Sequence, residues 1–384
     1  MIEKSLQQLT EKNMYHFTVP MPVEKEHFEK LLSINSQVEK SKITGVYFSL
    51  PINCSDATGF EQLRTGYRIP TKFDYWREYI EYSIEKGFDF VYLLNSPKGF
   101  MSESLILDKQ LERLHKLLEN LRKTGCNKVR VSNAQLLSYI LKNYPDFKIY
   151  TSTSFEHTQM KQYDTFLRMF PEISGMVPSY IVNKNFTLLK NLKQLYKGIE
   201  IELMVNEGCL PGCPIRVQHN LTIPFALTNV LKSRSANLSV SFFSSKCQLY
   251  SSKHLLEEVC RSNLIYPWEI EEYSKIGINN FKLVGRNSYE FYVGSYLDIY
   301  LMYLKGVDDY KNIENEEYKI LNHYVSCSDL LNVKIKDIKP YLPNIKHFIK
   351  KGHLCSSVCG FQCRYCYECA EKIEKILSSQ NTKD

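Results

Sequence analysis

Five cysteines fall within the segment HLCSSVCGFQCRYCYECAEK, at Cys355, Cys359, Cys363, Cys366 and Cys369. Spacings of two or three residues let neighbouring thiolates turn toward one centre, and four thiolates suit either a 4Fe–4S cluster or a structural zinc ion. The set that fits best is Cys359, Cys363, Cys366 and one of Cys355 or Cys369. A second group lies upstream in IELMVNEGCLPGCPIRVQHN, where Cys209 and Cys213 sit on a loop leaving a predicted strand. Gly208 and Gly212 relieve the backbone as it folds round, and Pro211 and Pro214 stiffen it. Such a pair is half a site. Cys247 and Cys260 can complete a four-thiolate set, and Cys54, in LPINCSDATG at the end of another predicted strand, competes for the fourth place.

The stretch CGFQCRYC also spells the CxxxCxxC with which radical-SAM enzymes hold a cluster. That arrangement needs the motif after the first strand of a barrel that then continues. Only 18 residues follow Cys366, so the expectation is a C-terminal module with its own metal, a ferredoxin-like 4Fe–4S cluster or zinc. Two iron–sulfur centres in one chain would suit electron relay from the tail to the barrel.

Twelve cysteines in 384 residues point to metal ligation if the compartment is reducing, because such thiols are kept from forming disulfides. The start MIEKSLQQLTEKN lacks an apolar leader and no apolar run reaches the roughly 20 residues of a membrane span, so a cytoplasmic protein without a membrane span is expected. Cys126 and Cys327 sit alone in apolar surroundings and read as core thiols. The net charge of +7 permits a nucleic-acid partner without requiring one.

Eight short β-branched or aromatic runs alternate with longer helical stretches: 15–20, 43–52, 88–95, 128–132, 147–152, 173–177, 199–206 and 280–285. Alternation of this kind implies a parallel sheet, and eight units over this length fit a closed (β/α)8 TIM-type barrel. No GxGxxG or Walker loop follows any strand, which disfavours an open nucleotide-binding sheet. The expected division is a barrel over 1–305 with a cysteine-bearing insertion at 207–279, then a small helical, cysteine-rich module over 306–384.

In such a barrel the loops after the strands form the catalytic face. Lys282 and Arg286 of FKLVGR fall at the end of the eighth strand, where fixed positive charge would clamp a small anionic co-substrate or pair with a barrel carboxylate such as Glu202. Asn95, Asn133, Ser152, Asn206 and Glu207 are mouth candidates by position, with Glu207 grouped with Lys282 and Arg286 as catalytic. His219 reads as a satisfied loop histidine.

The stretch VNEGCLPGC, followed by NLIYPWEIEEYSKIGINNFKLVGRNSYEFYV, resembles the collagenase-like peptidase family (U32), in which a cysteine motif follows a barrel strand and a K-x-x-G-R signature closes the barrel. The similarity covers most of 40–300 in pattern, and the two motif regions are its specific part. It implies a 4Fe–4S cluster held by Cys209, Cys213, Cys247 and Cys260. It also implies kinship with iron–sulfur proteins that hydroxylate RNA bases or a quinone precursor without molecular oxygen. The expected function is therefore an oxygen-independent redox modification of an RNA base, a quinone precursor or a peptide. Peptide hydrolysis and a non-catalytic iron–sulfur subunit are the alternatives, and an electron donor or paired subunit is the expected partner. Hydrolysis is disfavoured because no GxSxG or HExxH is present. For RNA, the basic segments KLLENLRKTGCNKVR, NKNFTLLKNLKQLYKG and KIKDIKPYLPNIKHFIKK carry interleaved aromatics that can track phosphates and stack on bases, or serve as solvated helix faces.

Overall fold

A computed structural model describes residues 14–50, 72–96, 104–207, 209–210, 212–227, 253–285, 295–315, 334–351 and 362–381. Eight parallel strands close on themselves in sequence order. They are β1 (Tyr15–Pro20), β2 (Ser41–Phe48), β3 (Asp89–Leu94), β4 (Lys128–Val131), β5 (Lys148–Thr151), β6 (Gly175–Met176), β7 (Glu200–Met204) and β8 (Asn280–Lys282). Every expected strand is present, and β8 pairs with β1 to complete the (β/α)8 barrel.

The helices that follow are α1 (Lys25–Ser36), α2 (Phe73–Glu85), α3 (Ser104–Lys123), α4 (Ala134–Asn143), α5 (Met160–Met169) and α6 (Phe186–Leu195). Beyond β7 come α7 (Arg216–Leu227), α8 (Leu255–Arg261) and α9 (Ile270–Ser274), and beyond β8 comes α10 (Ser295–Asp308). Helix α10 runs past the expected boundary at 305. The Asp308 carboxylate accepts the backbone N–H groups of Glu39 and Lys40, so this helix belongs to the barrel wall.

Strand pleating sends alternate residues to opposite faces. Val46 and Phe48, Phe90, Tyr92 and Leu94, Val129 and Val131, and Ile201 and Leu203 join the large cluster between sheet and helices. The alternate residues Tyr47, Val91 and Leu93 form a separate small cluster that faces the lumen. Arg130 and Glu202 share that inward parity and pair with each other, both buried. Barrel interiors are usually filled by branched apolar side chains, so a buried ion pair marks this lumen as unusual. At β6 the sheet tolerates only glycine: a Cβ on Gly175 would lie 2.5 Å from the Tyr150 ring and 2.9 Å from the Glu200 carbonyl oxygen.

The C-terminal module contributes a one-turn helix at Ile335–Ile338, then α11 (Ile345–Lys351) and α12 (Tyr365–Asn381). Ile338, Leu342, Phe348, Cys366, Cys369, Ala370 and Ile373 bury themselves against Val259, Cys260, Leu264 and Tyr266 of the β7–β8 insertion. At the edge of this joint Lys184 and Glu269 form a buried pair at 2.6 Å, and the Lys184 ammonium lies 5.5 Å from the Phe348 ring centroid. No helix among the described residues is long and apolar enough to cross a membrane.

Candidate functional site

The loop after β7 builds the centre of the mouth. Asn206 locks the strand ends by donating to the Val284 carbonyl and accepting from the Val284 N–H, at 2.9 and 2.8 Å. The chain then turns: Glu207 accepts the Cys209 N–H at 3.2 Å. Tyr180, which opens the 3₁₀ turn Tyr180–Val182 after β6, donates its hydroxyl to the Leu210 carbonyl at 2.8 Å. Cys209 and Cys213 lie close enough on this loop for their thiols to interact. That interaction and burial push the Cys209 thiol up, while the Arg216 guanidinium opposes them.

Arg216, at the first turn of α7, is the residue that sequence reasoning missed. Its Nε donates to Glu156 at 2.7 Å, its Nη2 lies 4.0 Å from Glu207, and its guanidinium carbon stands 4.3 Å from the Tyr180 ring centroid. Burial works against its charge, yet Glu207, Cys209 and Glu156 outweigh it and hold the guanidinium protonated. The only sign in the sequence was an arginine three residues beyond the second cysteine.

Glu156 reaches this arginine from a strained backbone. It follows the 3₁₀ turn Thr153–Phe155 after β5 and sits at φ 51°, the only non-glycine residue with positive φ among those described. Strain of this kind persists where surrounding contacts over-determine it, and it concentrates at functional sites. Here the contacts are Arg216 on one carboxylate oxygen and the Ser179 hydroxyl on the other, at 2.9 Å. A small pocket behind Glu156 is lined by Ser152, His157, Tyr163 and Ser179, and burial lowers the His157 pKa.

Lys282 is buried at the end of β8, its ammonium 4.0 Å from the ring centroid of Tyr47 on β2. Tyr47 in turn donates to the Leu283 carbonyl at 3.1 Å. Glu202, the carboxylate expected to pair with this end of the barrel, holds Arg130 from β4. Two further N–H groups of Arg130, on Nε and Nη1, are buried without a hydrogen-bond partner among the described residues. Buried donors of this kind are met by ordered water or by a ligand. Arg286 lies outside the described residues.

The remaining candidates separate. Asn133 is the N-cap of α4, accepting the Leu136 N–H at 2.8 Å, which gives it a structural role. Ser152 is taken up within its own turn by the Ser154 N–H. Asn95 lies half-buried after β3, and His219 is buried on α7.

Cys260 follows on α8. It is buried in the cluster that also holds Cys366 and Cys369, and burial followed by the nearness of Cys369 pushes its thiol up to about 12. Cys209 packs instead against the small cluster of Val177, Tyr180 and Met204. Cys363 lies just before α12, its sulfur 3.9 Å from Nε2 of His347. Cys54, Cys247, Cys327, Cys355 and Cys359 lie outside the described residues. Among the described residues no group of three His, Cys, Asp or Glu side chains is arranged to hold a metal ion.

No family model matches the chain, and no curated protein matches it. Among solved structures, the U32 peptidase Mk0906 is 11% identical with a TM-score of 0.46, over 71% of this chain and 92% of that one. The structure of CpGH84B is 12% identical with a TM-score of 0.37, over 96% and 74%. The native KDPGal structure is 6% identical with a TM-score of 0.32, over 74% and 95%. The closed barrel of the present chain rests on its own strand pairing.

Proposed function

We propose that the chain is an iron–sulfur redox enzyme that carries out an oxygen-independent hydroxylation or related modification, with its reacting centre at the barrel mouth. The observation that carries this reading is the Cys209–Cys213 thiol pair beside Arg216, a guanidinium that Glu156 and Glu207 hold charged. Two thiols on one loop fit half of a four-thiolate cage. With Cys260 packed elsewhere, Cys247 and Cys54 are the residues left to complete it.

When bound there, a 4Fe–4S group would supply one-electron transfer. The protein's own part is positioning. Arg216 offers a planar fork suited to a carboxylate or phosphate, and Lys282 offers a compact charge steadied by the Tyr47 ring. Glu207 is the mouth carboxylate placed to take or return a proton, since it touches both the cysteine loop and Arg216. The substrate class is an anionic molecule with an oxidisable ring or chain: an RNA base, a quinone precursor or a peptide. Hydroxylation with water as the oxygen source releases two electrons and two protons, so a separate redox partner or paired subunit would exchange electrons with the cluster and take them up. Hydrolysis gains no support from the contact between Cys363 and His347, which lies in the C-terminal module rather than at the mouth.

The test is iron, sulfide and zinc content with EPR spectra of anaerobically purified protein, beside a Cys209→Ser/Cys213→Ser variant. The expected outcome is loss of about four irons from the variant together with its mouth signal. Equal iron in both proteins, or none in either, would overturn the reading.

A further inference from the structure

Two basic stretches that lie far apart in the chain are brought together by the fold. Across 185–198 and 334–351 there are nine lysines, one aspartate and no arginine. That local excess is larger than the net charge of +7, so the rest of the chain is close to neutral. Helices α6 and α11, one from each stretch, pack against each other, and Ile345 of α11 joins the large barrel cluster. The contact is at the mouth end, because a barrel helix starts where its strand stops, and the ammonium of Lys184, just before α6, lies 5.5 Å from the Phe348 ring centroid of α11. Lys190 and Lys197 in the first stretch, and Lys346, Lys350 and Lys351 in the second, are exposed. None of these five is in an ion pair among the described residues. On α1 and beside α9, by contrast, exposed lysines are paired, Lys25 with Glu78, Lys30 with Glu26 and Lys275 with Glu272. The charge on α11 is felt inward as well: after burial, Lys351 and Lys350 are what lowers the His347 pKa.

We propose that the face shared by α6 and α11 docks single-stranded RNA, its lysines on the phosphates, so that a base is led over the rim to the barrel mouth. The proposal deepens the redox reading above by selecting RNA among its three substrates, and it rests on that reading only for what happens at the mouth. Lysines with no carboxylate beside them suit phosphates, because each one set on a phosphate releases a condensed counterion and so drives association. Lys346 and Lys350 stand four apart and share one side of α11, which makes a row of charge rather than a scatter. An acidic protein is the rival polyanion. RNA is favoured by Tyr341, in the turn just before α11, whose 38% exposure leaves a ring on which a base can stack. The strand must be single because a site inside a barrel mouth is reached by an unstacked base and not by one held in a duplex.

The experiment is fluorescence anisotropy of the full chain with a labelled oligouridylate of about 16 nucleotides, between about 50 and 200 mM salt. One variant combines Lys190→Gln, Lys346→Gln, Lys350→Gln and Lys351→Gln. A second makes the same change in net charge at exposed lysines away from this face, with Lys42→Gln, Lys109→Gln, Lys142→Gln and Lys148→Gln. The first is expected to lose about tenfold or more in affinity and to flatten the slope of log K against log salt by about 3, at about 0.7 per phosphate, while the second stays within about twofold. Equal losses in the two variants overturn the proposal, as does an unaltered chain that fails to bind at about 50 mM salt. Tyr341→Ala is expected to cost about fivefold with an unchanged slope, and full affinity in that variant removes the base-stacking role on which the choice of RNA rests. Poly-L-glutamate at equal charge is expected to displace little of the RNA; complete displacement assigns the face to an acidic protein and overturns the proposal. Urea midpoints of the first variant should match those of the unaltered chain, since its four lysines make no ion pair among the described residues. Iron is measured in the same samples: a chain without iron that still binds RNA overturns the redox reading alone, and one with iron that does not bind RNA overturns the docking face alone.

Discussion

The two groups of thiols sit in opposite surroundings. Cys209 and Cys213 are on a loop whose neighbours are a charged arginine, two carboxylates and a tyrosine hydroxyl. Cys260, Cys366 and Cys369 are set among Val259, Leu264, Phe348 and Ile373, with the Lys184–Glu269 pair at the rim beside Phe348. A metal bound in the first setting has polar groups and an arginine fork beside it, which suits chemistry on an anionic substrate. One bound in the second is walled by apolar side chains, which suits a structural or electron-relay role. Similar cysteine spacing thus serves different ends, and the neighbours rather than the ligands distinguish them.

Four measurements would break or sharpen this contrast. The largest effect is expected at the tail joint. Lys184→Met leaves Glu269 buried and unpaired, and loss of one partner of such a pair costs about 3–5 kcal/mol. Urea unfolding should show that loss and limited proteolysis should release the tail, while the mouth EPR signal is unchanged; a simultaneous loss of the mouth signal would mean that the two regions are one unit.

Next is the mouth itself. Arg216→Met strands Glu156 and Glu207, and a cost of about 3 kcal/mol is expected from the same reasoning, read by urea unfolding. Metal at Cys209 and Cys213 should fall and tail metal should not. Arg216→Lys should restore stability more fully than anion binding, because the fork is lost while the charge stays.

Cys126 supplies a baseline, a buried thiol that meets the Phe90 and Lys128 carbonyls and no other thiol among the described residues. Burial pushes it up to about 12, whereas an unfolded thiol ionises near pH 8.5. The folded state therefore keeps a proton that the unfolded state gives up. Its contribution is complete below about pH 8.5 and is lost as pH rises toward 12. Between pH 8 and 10 the unaltered protein should lose about 2 kcal/mol more stability than Cys126→Ala, measured by urea midpoints. Equal slopes would show that this thiol is solvated.

The smallest effect is expected for Tyr180→Phe, which removes the hydrogen bond to Leu210 at 2.8 Å and keeps the ring against Arg216. About 1 kcal/mol is lost, with a changed mouth EPR line shape and an unchanged tail centre. A change at the tail instead would reverse the assignment of the two groups.

Much of this was legible in the chain. Eight short β-branched or aromatic runs separated by helical stretches specify a barrel because a parallel strand needs a crossover and both sheet faces need cover. The spacing of Cys209 and Cys213 was legible for the same local reason, since three intervening residues with Gly212 can bring two thiols together in any context. Asn133 was placed at a strand end by position, and the structure adds a contact that position could not show, the Leu136 N–H that its side chain accepts as N-cap.

Local pattern, then, determined the barrel, the cysteine loop and a helical C-terminal region. Tertiary structure alone decided the partners of the charged and thiol groups. Glu202 meets Arg130 across the lumen, Glu156 meets Arg216 from a strand two places away, and Cys260 joins α12. Periodicity fixes which face of an element is buried, whereas a side chain's partner depends on how distant segments are oriented once the barrel has closed.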